Sequence, residues 1–344
     1  MSVLNVFRQD AFSTITLAAA IEKVPYQPTK LGGLGLFDPM PIRTKMLAVE
    51  QRVGQLVLIP TSPRGAAPTP RTTEKRTMRY FDVPRLSTDF TVVADELQDV
   101  REFGTESVLM QVQTEVARRL SGPTGIMRNI EYTWELHRLG AIQGILMDSD
   151  GSTVINNWFT EFGITQPTEV AFNLSAGTTG LRGFINSNIL RPMLKAAQGA
   201  FIEGVTEVHS LCGDTFYDSL VSHPDVVRTF LNWQAAEELR GPTAYGVFEF
   251  GGVFWHNYRG SDNGSDIAIA ADKAKFFFRK APGVFQVAWA PCEFTPWVNT
   301  LGRPLYPYPI FDRDRDSWWK VELYSYPLHI CTRPETLYSG RAGT

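Results

Sequence analysis

The sequence predicts an α+β fold. Helical stretches fill the middle of the chain, strand-like stretches dominate its front and its last fifth, and no regular strand–helix–strand alternation connects them. Length and composition agree. The 344 residues suffice for one large domain or two ordinary ones. Hydrophobic residues make up 43% and charged residues 20%, which supports a sizeable core and argues against bulk disorder. The net charge of −3 argues against a protein whose main task is gripping nucleic acid.

Met1 to Gly35 reads as an irregular leader with Pro25, Pro28 and three glycines at Gly32, Gly33 and Gly35. Such a segment buries little of itself. A disordered tail would have little use for Val3, Val6, Phe7, Phe12, Ile15 and Leu17, so the leader reads as an arm that orders against something else. No basic stretch precedes an apolar core at the front, so no signal peptide is expected. The longest apolar run near the start, Leu17 to Ile21, is far below the ~20 residues of a membrane span.

Thr44 to Ile59 and Thr77 to Phe90 are strand-like. Between them lies a loop with Pro60, Pro63, Pro68 and Pro70, which stiffen it toward an extended form. Strand, long loop and strand predict an extended hairpin. Arg64, Arg71, Lys75, Arg76 and Arg79 make it basic, suited to acidic surfaces on another copy.

Two helices follow. The first runs from a cap at Thr105 to about Leu120, with Val108, Val112 and Val116 on one face. Gly122-Pro123-Thr124-Gly125 breaks it. The second spans Ile126 to Met147, with Ile126, Ile130, Trp134, His137, Ala141 and Ile145 at helical spacing. At ~1.5 Å per residue it is roughly 30 Å long, a spine for a flat domain. A third helix is expected over Leu181 to Gly199, kinked at Pro192. Asp214 is expected to cap a short helix from Thr215 to Ser222, and Asp225 to Arg240 to form another. Val247 to Tyr258 reads as a strand pair around Gly251-Gly252, with further strands in Phe276 to Pro291 and Trp318 to Arg333.

No catalytic grouping stands out. Cys212, Cys292 and Cys331 are odd in number and far apart, with no Cys-x-x-Cys pair, so buried thiols in a reduced compartment are expected. His209 and Cys212 lie close in sequence, but a cysteine nucleophile needs a base and an orienting group gathered in space. In Asp312-Arg313-Asp314-Arg315-Asp316 the arginines cancel the field a divalent ion would need. A solvated turn or ion pairs with a neighbouring subunit fit better. Asp148-x-Asp150-Gly151 begins like a calcium loop, but Phe159 stands where the closing carboxylate belongs. No dinucleotide or phosphate-loop fingerprint is present. No catalytic, cofactor or metal residue is therefore assigned.

Several features recur in one order. They are Ile21 to Pro28 in the leader, Arg64-Gly65 at the hairpin tip, and Ala141-Ile142-Gln143-Gly144 running into Asp148-Ser149-Asp150-Gly151. His209 to Asp218, His223-Pro224 and Tyr258-Arg259-Gly260 follow, and Phe276 to Arg333 closes the set. This order resembles the major capsid (head) protein E family of lambda-like tailed phages, over about residues 21–338. The resemblance implies the Hong Kong 97-type shell fold. It implies an N-terminal arm (1–44), an extended loop (45–90), a peripheral domain (91–151 with 295–327) and an axial domain (152–294 with 328–344).

It also implies a structural protein of the virion, assembled in the host cytoplasm into pentamers and hexamers of an icosahedral head around double-stranded DNA. Scaffold, portal and decoration proteins are its implied partners, with DNA nearby but not sequence-specifically bound, and no membrane. On this reading Val6, Phe7, Phe12, Arg64, Arg71, Arg76, Asp312, Arg313, Asp314 and Arg315 are expected to touch other subunits. The rivals are a cytosolic hydrolase using Cys212 with His209 or His223, and another virion part such as a tail or decoration protein, which the long helix disfavours.

Overall fold

The computed structural model describes residues 26–53, 75–98, 111–176, 180–231 and 245–343. Its largest sheet has six strands, in the spatial order Val170–Ala171, Tyr338–Arg341, Lys273–Arg279, Glu207–Cys212, Val253–Asn257 and Val247–Phe250. The sheet is mixed. Glu207–Cys212 runs parallel to Val253–Asn257 and antiparallel to Lys273–Arg279. Its central strands are covered on both faces, which explains the unbroken run Phe276-Phe277-Phe278. Phe276 and Phe278 join a core under the helices with Ile185, Met193, Phe216 and Trp255, while Phe277 joins a second core with Leu31, Leu139 and Phe285. All three phenylalanines are fully buried.

The expected glycine turn forms. Val247–Phe250 and Val253–Asn257 pair antiparallel around Gly251 and Gly252, whose φ values of 64° and 80° suit a tight hairpin turn.

The long helix, Ile126–Gln143, lies across a three-stranded sheet of Asp38–Pro41, Phe285–Trp289 and Pro327–Cys331. Ile126, Ile130 and Trp134 pack on Val287, Trp289 and Leu323, and Leu139 and Ile142 enter the core shared with the large sheet. A second three-stranded sheet holds Tyr306–Phe311, Trp318–Ser325 and Leu86–Val93. Trp318–Ser325 continues almost directly into Pro327–Cys331, so one length of chain serves both three-stranded sheets.

Several boundaries differ from expectation. The long helix ends at Gln143, not Met147. Gly144 adopts φ +82°, and Ile145–Met147 turns back to pair with Val154–Asn157. A Cβ at Gly144 would lie 2.2 Å from the Phe159 ring, so only glycine permits this reversal. Thr77 to Phe90 is two strands, Lys75–Asp82 and Leu86–Val93, because Pro84 interrupts the ladder between them. The third helix stops at Ala196, and a π-helical turn, Asn186–Leu190, precedes Pro192. Gly213, not Asp214, is the cap of Asp214–Val221. Tyr306–Phe311 was not expected as a strand. Its Pro307 and Pro309 are tolerated because it forms an edge. The expected cap at Thr105 and the end of the helix toward Arg240 lie outside the described residues.

All five histidines are buried. His137 on the long helix faces His329 on Pro327–Cys331, with ring centroids 6.1 Å apart. Phe37, Trp289 and Arg138 stand nearby, and none of the four ring nitrogens has a hydrogen-bond partner in the protein. Burial pushes the His137 imidazole down to about 4 and His329 well below its usual value. His256 is pushed down to about 3, by burial first and by Lys30 second. These rings stay neutral when folded and charge when unfolded. The unfolded chain therefore binds more protons below about pH 6.5, and stability falls as pH drops from there toward 4. His137 alone contributes a loss on the order of 3 kcal/mol across that window.

Melting temperature should thus fall steeply from pH 6.5 to 4.5, above the range where paired carboxylates such as Glu115 (about 2) lose their charge. His329→Phe should flatten that slope, and a flat wild-type profile would refute the assignment. Gly144→Ala should lower stability by more than ~2 kcal/mol, through left-handed strain and the Phe159 clash. A melt within one degree of wild type, by about the ~2–4 °C per kcal/mol scale, would contradict it.

Candidate interaction surface

The hairpin Met46–Val53/Lys75–Asp82 is a two-stranded sheet, so among the described residues neither outer edge is paired. Alternation splits its side chains between two faces. Leu47 and Phe81, opposite each other, are 2% and 3% exposed. Phe81 packs edge-on against Trp158 and tilts against Phe162 in the short helix Trp158–Phe162. Arg79 follows, its guanidinium 5.4 Å from the Phe162 ring centre and donating to the Phe162 carbonyl at 3.3 Å. This face ties the hairpin base to its own subunit.

The other face is different. Met46, Met78 and Tyr80 are 40%, 54% and 60% exposed, and Ala48 stands opposite Tyr80. Glu50, Arg76 and Asp82 share this face, yet an isolated two-stranded ribbon with such exposed apolar side chains is marginal in water. Sequence reasoning chose the basic residues and missed this stripe. Apolar residues occupy both parities of the two strands, so alternation alone does not say which set faces inward.

Of the expected contact residues, Arg76 is exposed and pairs with Glu50 of its own hairpin at 3.6 Å. A surface pair of this kind contributes ~1 kcal/mol or less. Asp312 is engaged in its own turn, where its carboxylate accepts from the Asp314, Arg315 and Ser317 N–H groups and from the Ser317 hydroxyl. These bonds pull it down to about 2. Arg313, Asp314 and Arg315 are exposed around that turn. Val6, Phe7, Phe12, Arg64 and Arg71 lie outside the described residues.

The described end of the leader, residues 26–35, corrects an expectation. It buries itself in its own subunit. Leu31 is fully buried at the helical turn Lys30–Gly33. The Leu31 and Gly32 N–H groups donate to the Glu135 carboxylate at 2.7 and 3.2 Å, and Arg138 pairs with the same group at 3.3 Å. Asp38–Pro41 then adds a parallel strand beside Phe285–Trp289. The sequence signal was present in the spacing of Leu31, Leu34, Leu36 and Phe37, but the flanking glycines and prolines masked it.

The geometry removes the hydrolase reading. His209 and Cys212 have opposite parity on one strand. His209 stacks on Phe254 and holds His256 at 2.7 Å and Glu207 at 3.1 Å, whereas Cys212 sits in the core under the helices. Burial pushes the Cys212 thiol up to about 12, the reverse of what a nucleophile needs. His223 is buried at the start of Pro224–Leu231, accepting from the Asp225 N–H at 3.2 Å. Among the described residues no His, Cys, Asp or Glu group of three could hold a metal, and no helix is long and apolar enough to cross a membrane.

The chain is similar to known capsid proteins over nearly its whole length. It is 25% identical to the major capsid protein of Salmonella phage Felix O1, covering 99% of each chain. It is 24% identical to that of Pseudomonas phage KPP10, covering 90% of this chain and 91% of the other. Among solved structures, the capsid of cyanophage P-SCSP1u aligns with a TM-score of 0.52 at 11% identity, over 94% of this chain and 90% of the other. The capsid of Myoviridae phage XM1 aligns with a TM-score of 0.51 at 12% identity, over 99% and 98%. The fold is therefore the expected α+β, Hong Kong 97-type capsid fold. A family model described as phage major capsid protein E matches residues 13–342. The chain belongs to the phage major capsid protein E family, and it is accordingly a structural protein of the virion shell rather than an enzyme.

Proposed function

We propose that this subunit assembles into pentamers and hexamers of an icosahedral head enclosing double-stranded DNA, through contacts made by its leader and its hairpin. One observation carries this reading. The hairpin is tied by Leu47 and Phe81 to its own core, yet offers Met46, Met78, Tyr80 and two open edges outward. A ribbon built this way completes its burial on another copy.

The proposed division follows the expected one. Residues 1–44 form the arm, 45–90 the extended loop, 91–151 with 295–327 the peripheral domain, and 152–294 with 328–344 the axial domain. The separate core under the helices of the six-stranded sheet, whose buried members all lie within residues 152–294, supports an axial unit. The described half of the arm is anchored in cis, so Val6, Phe7 and Phe12 are the part proposed to reach a neighbour. Arg64 and Arg71 are proposed to pair with acidic groups across the interface, and Arg313, Asp314 and Arg315 to meet a neighbour from their exposed turn. Assembly in the host cytoplasm, with scaffold, portal and decoration proteins, completes the proposal. The net charge of −3 keeps self-repulsion between copies low and avoids binding packaged DNA to the wall.

Replacing both Met78 and Tyr80 by Asp should abolish particles in electron micrographs of the overexpressed protein. Both side chains are more than half exposed, so subunit stability should change by only about 1 kcal/mol. Normal particles from that variant would refute the hairpin's role. Arg64→Glu combined with Arg71→Glu should likewise leave a folded subunit that sediments as a small species. A wild-type sedimentation profile for that pair would remove those residues from the interface.

A further inference from the structure

The turn from Ile202 to Thr206 is a preformed knob. The Val205 and Thr206 N–H groups both donate to the Ile202 carbonyl, at 3.1 and 2.9 Å. The Ile202 N–H donates to the Thr206 hydroxyl at 3.0 Å, and that hydroxyl donates to the Lys280 carbonyl at 3.3 Å. Gly204 supplies the left-handed residue, with φ +78°. The result holds two branched apolar side chains in water, Ile202 at 44% and Val205 at 49% exposed. Glu203 stands between them, exposed and without an ion pair among the described residues. Knobs held by their own backbone bonds dock with little ordering entropy.

A cavity of about 500 Å³ opens at the base of the hairpin. Its wall is apolar at Val83 and Val298, the latter 56% exposed. Its rim carries Arg43, Lys45 and Arg85 against one carboxylate, Glu293, which Arg85 already holds at 3.2 Å. Arg43 and Lys45 are exposed, and among the described residues neither has an ion-pair partner. The cavity therefore suits a segment with apolar side chains around one unpaired carboxylate.

The Ile202–Val205 turn is a tip that meets this requirement. Phe311 is also exposed, but the neighbouring Asp312 carboxylate is engaged in its own turn. Val247 and Glu249 lie along an edge strand rather than on a tip. We propose that the Ile202–Glu203–Val205 knob of one copy seats in the Arg43/Lys45/Val298 cavity of the next, with Glu203 between Arg43 and Lys45. Knob and cavity are different patches of one chain, so the contact is head-to-tail and propagates into a ring when its rotation closes. The inference rests on the shell reading and adds to it a pair of surfaces outside the arm and the hairpin strands.

Particle yield of the full chain, by sedimentation and electron microscopy, tests it. Glu203→Lys should lower the yield at least tenfold, and so should Arg43→Glu with Lys45→Glu. Joining all three reversals should restore it to within about threefold of wild type. As a second measure, Val205→Cys with Val298→Cys should give a ladder of disulfide-linked multimers from oxidised particles, since the three native cysteines are buried. Wild-type yield from Glu203→Lys, failure of the triple reversal to rescue, or particles without a ladder would each overturn the contact and leave the shell reading intact. A wild-type chain that forms no particles would overturn the shell reading, and this contact with it.

Discussion

A single buried carboxylate organises the front of this molecule. Glu135 is fully buried in the long helix, where it accepts two leader N–H groups and holds Arg138. Burial pushes its carboxyl up, and these bonds work against that shift. Without such partners a buried carboxylate costs several kcal/mol. With them it acts as a cap for a four-residue helical turn that lacks a side-chain cap of its own. Asp38–Pro41 can then lie along Phe285–Trp289, and the hairpin leaves the body from a defined point.

The rest of the subunit follows from surfaces that must be covered. The long helix is wedged between two cores, and its Trp134 indole N–H reaches the Ser325 hydroxyl at 3.2 Å, so it cannot slide along its sheet without leaving polar groups unpaired. The six-stranded sheet is closed by helices on one side and by leader and long helix on the other. Among the described residues, the surfaces left open include the hairpin, with its exposed Met46, Met78 and Tyr80 and its free edges, and the small knob at Ile202–Val205. A shell of identical copies needs surfaces of this kind. Each contact can be moderate, because closing the polyhedron makes every later contact effectively intramolecular.

Legibility in the sequence was uneven for identifiable reasons. The long helix was readable because Ile126, Ile130, Trp134 and His137 keep a helical period, but its end was misplaced. Ile145 continues the period, and only the Phe159 ring behind Gly144 explains why the chain turns. The strand Lys273–Arg279 was readable from its aromatic run, and its neighbours were not, since pairing partners lie far away in the chain. The edge strand Tyr306–Phe311 was hidden by its own prolines. The charged candidates on the surface were the least reliable. Arg76 and Asp312 found partners within the same subunit, which no spacing rule anticipates.

By itself the sequence determined the α+β class, the long helix, the hairpin and the absence of a catalytic motif, because these depend on periodicity, turn residues and composition within short windows. Tertiary structure alone decided that the described end of the leader is clamped in cis, that His209 and Cys212 face opposite ways, and that Met78 and Tyr80 rather than Leu47 and Phe81 look outward. Each of those outcomes depends on which distant surface reaches a side chain first, and burial of that kind is a property of the assembled packing rather than of any local stretch of chain.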